Sequence, residues 1–475
     1  RLGSQVSRFF SLFNDLRLTF KKSFRLTKIN AMVGTRYMQS ESEQDFALGS
    51  NSATDQLIGI ANSNVLFRTF GGEIGKWRSL NNYLTANYSY ADKYLVNFSV
   101  AVDGSSRFGT QQGLGFLNFD NGLRINGNRF AVLPAVGGAW VISSENFMKN
   151  FSRLDLLKLR VSYGLVGNDD VGNFTARGFY NTQNLLGMRG LVQGNFANPN
   201  LQWETIAKFN AGLDGSFFNE RLSVSLDYWK HNTSNMLTLH TLSSVAGGGT
   251  YMANNGGMST QGFDFTLNSR LVNKKLKWDA SLTLGTSNNQ ITSLPNGSSV
   301  ITNNIGATYL TQIGGAANQF YGFKTNGVYS TSAEATAQGL SVRNSKGDLI
   351  PFGAGDVRFI DFNGDNIIDD LDRTVIGNPN AVLFGSFNST LSYKNWTLDA
   401  LFNFVSGNEV FNFTRAQLES GSTYYNQTNA LNNRWRGEGQ TTNIPKATYG
   451  DPMGNARFSD RWIEDGSFLR LRTVN

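Results

Sequence analysis

Runs of two-residue alternation recur along this chain and constrain its fold more than any other feature. Leu222, Val224, Leu226 and Tyr228 alternate with Ser223, Ser225 and Asp227. Leu276, Trp278, Ala280, Leu282 and Leu284 alternate with Lys277, Asp279, Ser281 and Thr283, and residues 94–102 and 157–165 repeat the pattern. Successive side chains of a strand point to opposite faces, so each run carries one apolar and one polar face. The runs pair through tight connections at 91–93, 218–221, 272–275 and Lys394-Asn395. Between the pairs lie longer Gly/Asn/Ser-rich tracts at 104–128, 168–202, 231–257 and 407–448.

Two all-β architectures produce such a pattern. In a soluble sandwich the apolar face is a core and the polar face is wet. In an outer-membrane barrel the apolar face meets lipid, the polar face lines a lumen, and short turns alternate with long loops. Composition separates the two. Charged residues are 16% of the 475, well below the roughly 25% of a soluble domain. Aromatic residues crowd the strand ends at Tyr88, Tyr90, Tyr94, Phe217, Phe218, Tyr228, Trp229, Tyr393 and Trp396, where amphipathic rings suit a headgroup layer. We therefore expect an all-β, transmembrane antiparallel β-barrel with short periplasmic turns and long extracellular loops. At roughly 25 residues per strand and loop the chain supplies roughly eighteen crossings, most but not all of a 22-stranded barrel.

Other classes fall away on composition. Zero Cys excludes a disulfide scaffold, thiolate metal sites and Cys nucleophiles. The longest apolar stretch, 130–142, contains Pro134, Gly137 and Gly138 and is too short for a spanning helix. As a strand it places Phe130, Val132, Val136, Trp140 and Ile142 outward, with Ala131, Ala135, Gly137 and Ala139 inward. The net charge of +7 is mild, and no basic run exceeds a pair such as Lys21-Lys22, so nucleic acid is not an expected partner. Arg1-Leu2-Gly3-Ser4 opens without a charged-then-apolar leader, and residues 468–475 stop in the middle of a strand pattern. The opening leaves either a cytoplasmic protein or an interior fragment, and the far end argues for the fragment.

The sharpest local motif runs from Asp361 to Asp372. Asp361, Asn363, Asp365, Asp369 and Asp372 place oxygen side chains at loop positions one, three, five, nine and twelve, with the Ile367 carbonyl at seven. These are the offsets of a calcium loop, and calcium takes six to eight oxygens. Asn366 stands where Gly is usual, and Asp372 is shorter than the bidentate Glu. No helical pattern flanks the loop, so an isolated, dockerin-like structural calcium site is the expectation rather than an EF-hand; the competing reading is an acidic turn that binds nothing.

Catalytic constellations are thin, and no enzymatic activity is expected. His231 and His240 are nine residues apart in a loop-like tract, and neither H-E-x-x-H nor G-x-S-x-G occurs. Gly71–Lys76 lacks the Ser/Thr and the spacing of a phosphate loop. The pairs Asp169-Asp170 and Glu464-Asp465 read as solvated turns before glycosidase dyads. Loop aromatics, Phe196, Tyr251, Tyr424, Tyr425 and Trp435, suit stacking on sugars or peptides, or packing of loops against one another.

With these residues in hand, the chain resembles the SusC/RagA family of TonB-linked outer-membrane transporters of Bacteroidota. Asn198-Pro199-Asn200-Leu201-Gln202-Trp203-Glu204 is similar to the family's strand entry, followed by Phe209-Asn210-Ala211-Gly212-Leu213-Asp214. Leu157–Gly164 with Gly167-Asn168, Gly355–Phe359, and Arg373–Pro379 after the acidic loop also resemble it, as does Ser459–Leu471 before the last strands. The resemblance implies that residues 1–475 are barrel, with 355–379 an acidic calcium-type loop within it. It implies a plug and a TonB box N-terminal to these residues, a SusD-like surface lipoprotein as partner, drive from the TonB complex, and import of oligosaccharides, peptides or similar nutrients. Two other readings stay open: a non-transporting structural or adhesive barrel of a surface assembly, and a soluble calcium-binding lectin-like β-protein. The acidic loop is expected outside the cell, which on this reading needs an extra crossing within 299–329.

Overall fold

The structure is a computed structural model. It describes residues 2–54, 56, 59–108, 123–125, 128–185, 188–243, 245, 249–297 and 299–475. The expected loop at 104–128 therefore falls largely outside the described residues, as does part of that at 231–257. The chain divides into two compact units, Arg1–Asn219 with Trp229–Met258, and Glu220–Tyr228 with Ser259–Asn475.

The first unit is built from long antiparallel strands taken in chain order: β1 (Leu2–Ser23), β2 (Thr27–Gly49), β3 (Thr69–Tyr90), β4 (Tyr94–Ser105), β5 (Asn128–Val141), β6 (Leu154–Asn168) and β7 (Glu204–Phe217). Two further strands, β8 (Leu222–Thr241) and β9 (Thr250–Asn273), are divided between the units. The turn between β3 and β4 has positive φ at both Ala91 (53°) and Asp92 (55°), the twist that lets two strands reverse over so few residues. The Asp92 carboxylate also receives the Lys28 ammonium of the adjacent hairpin at 2.7 Å.

Register sorts the side chains by face. Asn30, Asn87, Asn97, Gly137, Ser162 and Asn210 are directly paired from strand to strand, from β2 across to β7. One residue away, on the other face, Phe20, Ala31, Ala86, Phe98, Val136, Tyr163 and Phe209 form the next row. This apolar row is open to its surroundings: Phe20 is 56% and Tyr163 51% exposed. A sandwich would bury such residues beneath a second sheet, and among the described residues no second sheet covers them. The inward and outward assignment of 130–142 holds at its clearest positions, with Ala131 buried and Val132 and Val136 exposed.

At the tight-turn end the apolar face finishes in a row of rings. Tyr90 pairs with Tyr94 and Tyr94 with Trp140, and the rings stack at centroid distances of 6.4 Å. Glu145, in the turn between β5 and β6, accepts from Tyr94 Oη at 2.7 Å, Lys93 Nζ at 2.9 Å and Trp140 Nε1 at 3.2 Å. Those bonds, Tyr94's first, pull its pKa down to about 2.

In the second unit β10 (Leu276–Thr286) follows β9, and then comes β11 (Leu383–Tyr393), paired directly with β10 from Leu276↔Tyr393 to Thr286↔Leu383. β12 (Trp396–Ser406) and β13 (Phe468–Val474) complete the order. Among the described residues the main sheet thus follows thirteen strands in sequence, not about eighteen. The missing crossings are replaced by two large insertions, 287–382 and 407–467, which the average spacing could not reveal. The extra crossing expected within 299–329 is likewise not there. Val300–Asn304, Ala307–Thr311, Gln319–Gly322 and Thr374–Gly377 form a separate four-stranded sheet, and β10 and β11 already run in opposite directions.

Candidate functional site

The polar face of the first unit is the first candidate surface. Its row of Asn30, Asn87, Asn97, Ser162 and Asn210 offers neutral donors and acceptors, and Asn97 occupies the space left by Gly137, where a Cβ would stand 2.2 Å from Asn97 Oδ1. Charges are present too, but several are matched. Arg160 grips Asp214 with two bonds of 2.7 and 2.8 Å. Arg36 lies 3.4 Å from Asp15, and Tyr83 Oη donates to Asp15 at 2.8 Å. The Tyr83 ring lies across Gly34, where any Cβ would meet it at 2.4 Å.

The strand-entry motif proves to be a clamp. Asn198 Nδ2 donates to the Met252 carbonyl at 2.8 Å; the Gln202 amide donates to Asn254 Oδ1 at 2.8 Å, and Asn254 Nδ2 returns a bond to Gln202 O at 2.7 Å. Glu204 accepts the Leu237 amide at 3.1 Å. Leu201 and Trp203 enter a buried cluster with Phe108, Ala131, Val171 and Ala176. This core forms on the polar side of β5, since it includes inward Ala131 and packs on Leu133. The motif therefore ties the β6–β7 connection to the β8–β9 hairpin.

The second unit's two insertions fold into one module, termed the outer module after the side on which the sequence leads us to expect the acidic loop. Its core gathers Phe323, Tyr329, Leu340, Phe352, Val357, Phe359 and Ile368 from the first insertion with Met453 from the second. A buried polar joint holds the two together: Asp356 takes Lys446 Nζ at 3.0 Å and Asn455 Nδ2 at 2.9 Å, so the buried carboxylate is paired, as burial requires. Burial also pushes the Tyr329 hydroxyl up to about 12. Trp435 packs over Gly355 and donates Nε1 to the Ser330 carbonyl at 3.0 Å.

The acidic loop hangs from this core by Ile368 and by Asp372, both buried. Asp361 accepts the amides of Gly364 at 2.7 Å and Asn366 at 2.8 Å, and Asp372 those of Phe362 and Asp369, each at 2.9 Å. Burial raises the Asp361 pKa and these amide bonds lower it; the net shift is below the usual carboxylate value. Asn363 accepts the Asp365 amide at 3.0 Å, Asp365 that of Ile367 at 2.8 Å, and Asp369 that of Leu371 at 2.9 Å. Asn366 takes the left-handed backbone expected of it, φ 61°. Asp361 and Asp372 come together, but Asp365 and Asp369 are turned to the amides of Ile367 and Leu371. Among the described residues no group of three or more His, Asp or Glu side chains converges as a metal site.

The remaining singled-out residues have the following contacts. His231 packs tilted against Trp229 and His240 stacks on Tyr251, both at 4.8 Å. Asp169 and Asp170 both face Arg107, at 3.9 and 3.7 Å, and Glu464 is held by Arg415 at 2.7 Å. Phe196 fits beside Gly249. Tyr424, 86% exposed, stacks on Tyr449 at 4.4 Å at the edge of the outer module, with Tyr425 also exposed.

Comparison with known proteins agrees with this architecture. The family model described as "TonB dependent receptor-like, beta-barrel" matches residues 2–347. The TonB-dependent receptor P3 of Formosa agariphila is 28% identical over 473 residues, covering 96% of this chain and 44% of the relative. The TonB-dependent receptor SusC of Bacteroides thetaiotaomicron is 26% identical, covering 82% of this chain and 36% of SusC. The solved RagAB peptide importer in its closed-closed state superposes with a TM-score of 0.79 at 23% identity, covering 99% of this chain and 49% of that one. The chain thus spans less than half the length of the relatives it matches. From its alternating exposed and polar rows and from these matches together, the chain belongs to the TonB-dependent receptor-like β-barrel family.

Proposed function

We propose that the chain forms much of the transmembrane barrel of an outer-membrane importer, driven by the TonB complex and working with a SusD-like surface lipoprotein, that takes up oligosaccharides, peptides or similar nutrients. The observation that carries this reading is the pair of adjacent rows in the first unit. One offers Asn and Ser side chains; the other presents exposed Phe, Val and Tyr. Facing a lumen, neutral amides and hydroxyls offer replaceable hydrogen bonds rather than one tight site. Facing lipid, the apolar row buries surface worth about 25 cal/mol per Å². That exposure is the opposite of what a soluble lectin-like protein needs.

On this reading the tight turns are periplasmic and both large insertions lie outside the cell. There the outer module supplies a surface for recognition, since binding residues gather on loops held by a rigid scaffold. Calcium at Asp361, Asn363, Asp365, Ile367, Asp369 and Asp372 is a further proposal. It is supported by the ligand spacing and the meeting of Asp361 with Asp372, and it requires Asp365 and Asp369 to swing inward.

Uptake by cells of the source organism tests the import reading. Deleting the full-length gene should abolish growth on a subset of oligosaccharides or peptides, and an uncoupler should stop uptake of the same solutes in wild-type cells. Unchanged uptake in both cases, with loss of a surface assembly, would instead show a structural barrel.

A further inference from the structure

We propose that the outer module carries a binding site, centred on Arg457, for a carboxylate borne on a small aliphatic body. The site stands whether or not the barrel imports anything. An open cleft of about 540 Å³ lies between the acidic loop and the Arg457 segment, room for a small molecule. Phe323, Val342 and Ile368, all buried, form its apolar floor, and Arg343, Arg373 and Arg457 line its sides.

Among the described residues, Arg457 is the half-buried arginine of this cavity without a direct ion pair; Arg343, also without one, is exposed. Its guanidinium lies 4.8 Å from the ring centroids of both Phe323 and Phe359. Nε donates to the Gly454 carbonyl and Nη2 to that of Met453, each at 2.9 Å. Among the described residues no carboxylate comes within 4.0 Å of it, and Nη1 has no acceptor. An arginine stays charged in a protein; Asp451, Asp370 and Asp372 attract this one only from beyond contact distance, so an anion that reaches the guanidinium directly gains a pairing the fold leaves unmade. The acids nearby are already engaged: Asp370 holds Arg373 at 2.7 Å, and Asp369 caps the Leu371 amide.

The same geometry selects the body of the ligand. Both guanidinium groups stand over Phe323, Arg373 at 5.5 Å, so no open ring face is offered to a sugar. The apolar contacts left are aliphatic: Val342 and Ile368 in the floor, and Leu371, 72% exposed, at the mouth.

Calorimetric titration of the intact, detergent-solubilised protein tests the site with three probes: N-acetyl-leucine, its uncharged amide, and glucuronate. N-acetyl-leucine should bind, and both the amide and glucuronate should bind roughly tenfold more weakly or not at all. Arg457→Gln should weaken N-acetyl-leucine roughly tenfold. Because Arg457 also staples two rings, Leu371→Asp provides a second variant at an exposed position; it sets a like charge at the mouth and should weaken binding by a similar factor. Equal binding of acid and amide, no binding by the folded wild type, or indifference to Leu371→Asp would overturn the proposal. Glucuronate binding as tightly as N-acetyl-leucine would overturn the aliphatic assignment.

Discussion

At Gly355 the backbone holds φ at +82°, and a Cβ there would stand 2.5 Å from Trp435 Cε3. Only a residue without a side chain lets the indole close over this turn, beside the buried Asp356–Lys446 pair. Gly355→Ala should therefore weaken docking of the second insertion by about 1–3 kcal/mol, read as faster protease nicking within 407–467 while the strands stay protected. An unchanged nicking rate would show that Trp435 is not the latch. Trp435 was legible from the sequence only as an aromatic that either packs or stacks, and it packs. The partners of Asp356 were not legible at all, because Lys446 and Asn455 lie 90 and 99 positions away. No local pattern encodes a pairing of that range.

Among the elements, strands were read most readily, because a period of two is written in neighbouring residues and needs no tertiary information. β10, β11 and β12 follow the alternation and the tight turns that announce them. The number of crossings was not readable: an insertion such as 287–382 carries its own short strands, which mimic crossings in an average. The acidic loop shows the same limit at smaller size. Its oxygen spacing was plain, but the turning of Asp365 and Asp369 to the loop's own amides follows from backbone conformation rather than spacing. If calcium tightens this loop, the ion should slow its proteolysis by the factor by which binding disfavours opening, and chelator should restore the rate. Asp365→Ala should remove the difference. Equal rates for the wild-type protein with and without chelator would leave the loop closed by its amides alone.

Across the whole chain, function follows from assigning two solvents to two faces. The exposed row of Phe98, Val136, Tyr163 and Phe209 has no protein to pack against among the described residues, while the row one residue away is amide and hydroxyl. The strand-entry clamp at 198–204 and the outer module then add folded connections at the long-loop ends of the strands. Asp169, Asp170 and Glu464 sit in ion pairs, Asp465 accepts the Ser467 amide, and His231 and His240 pack against aromatic rings.

The most direct test of this account uses the absence of Cys. Single cysteines placed at Asn97, Phe98, Ala135, Val136, Ser162 and Tyr163 of the full-length protein, with its own cysteines elsewhere removed, can carry an environment-sensitive fluorophore in vesicles containing brominated lipid. The account predicts quenching at Phe98, Val136 and Tyr163 and none at Asn97, Ala135 and Ser162; quenching that fails to alternate along these strands would contradict it.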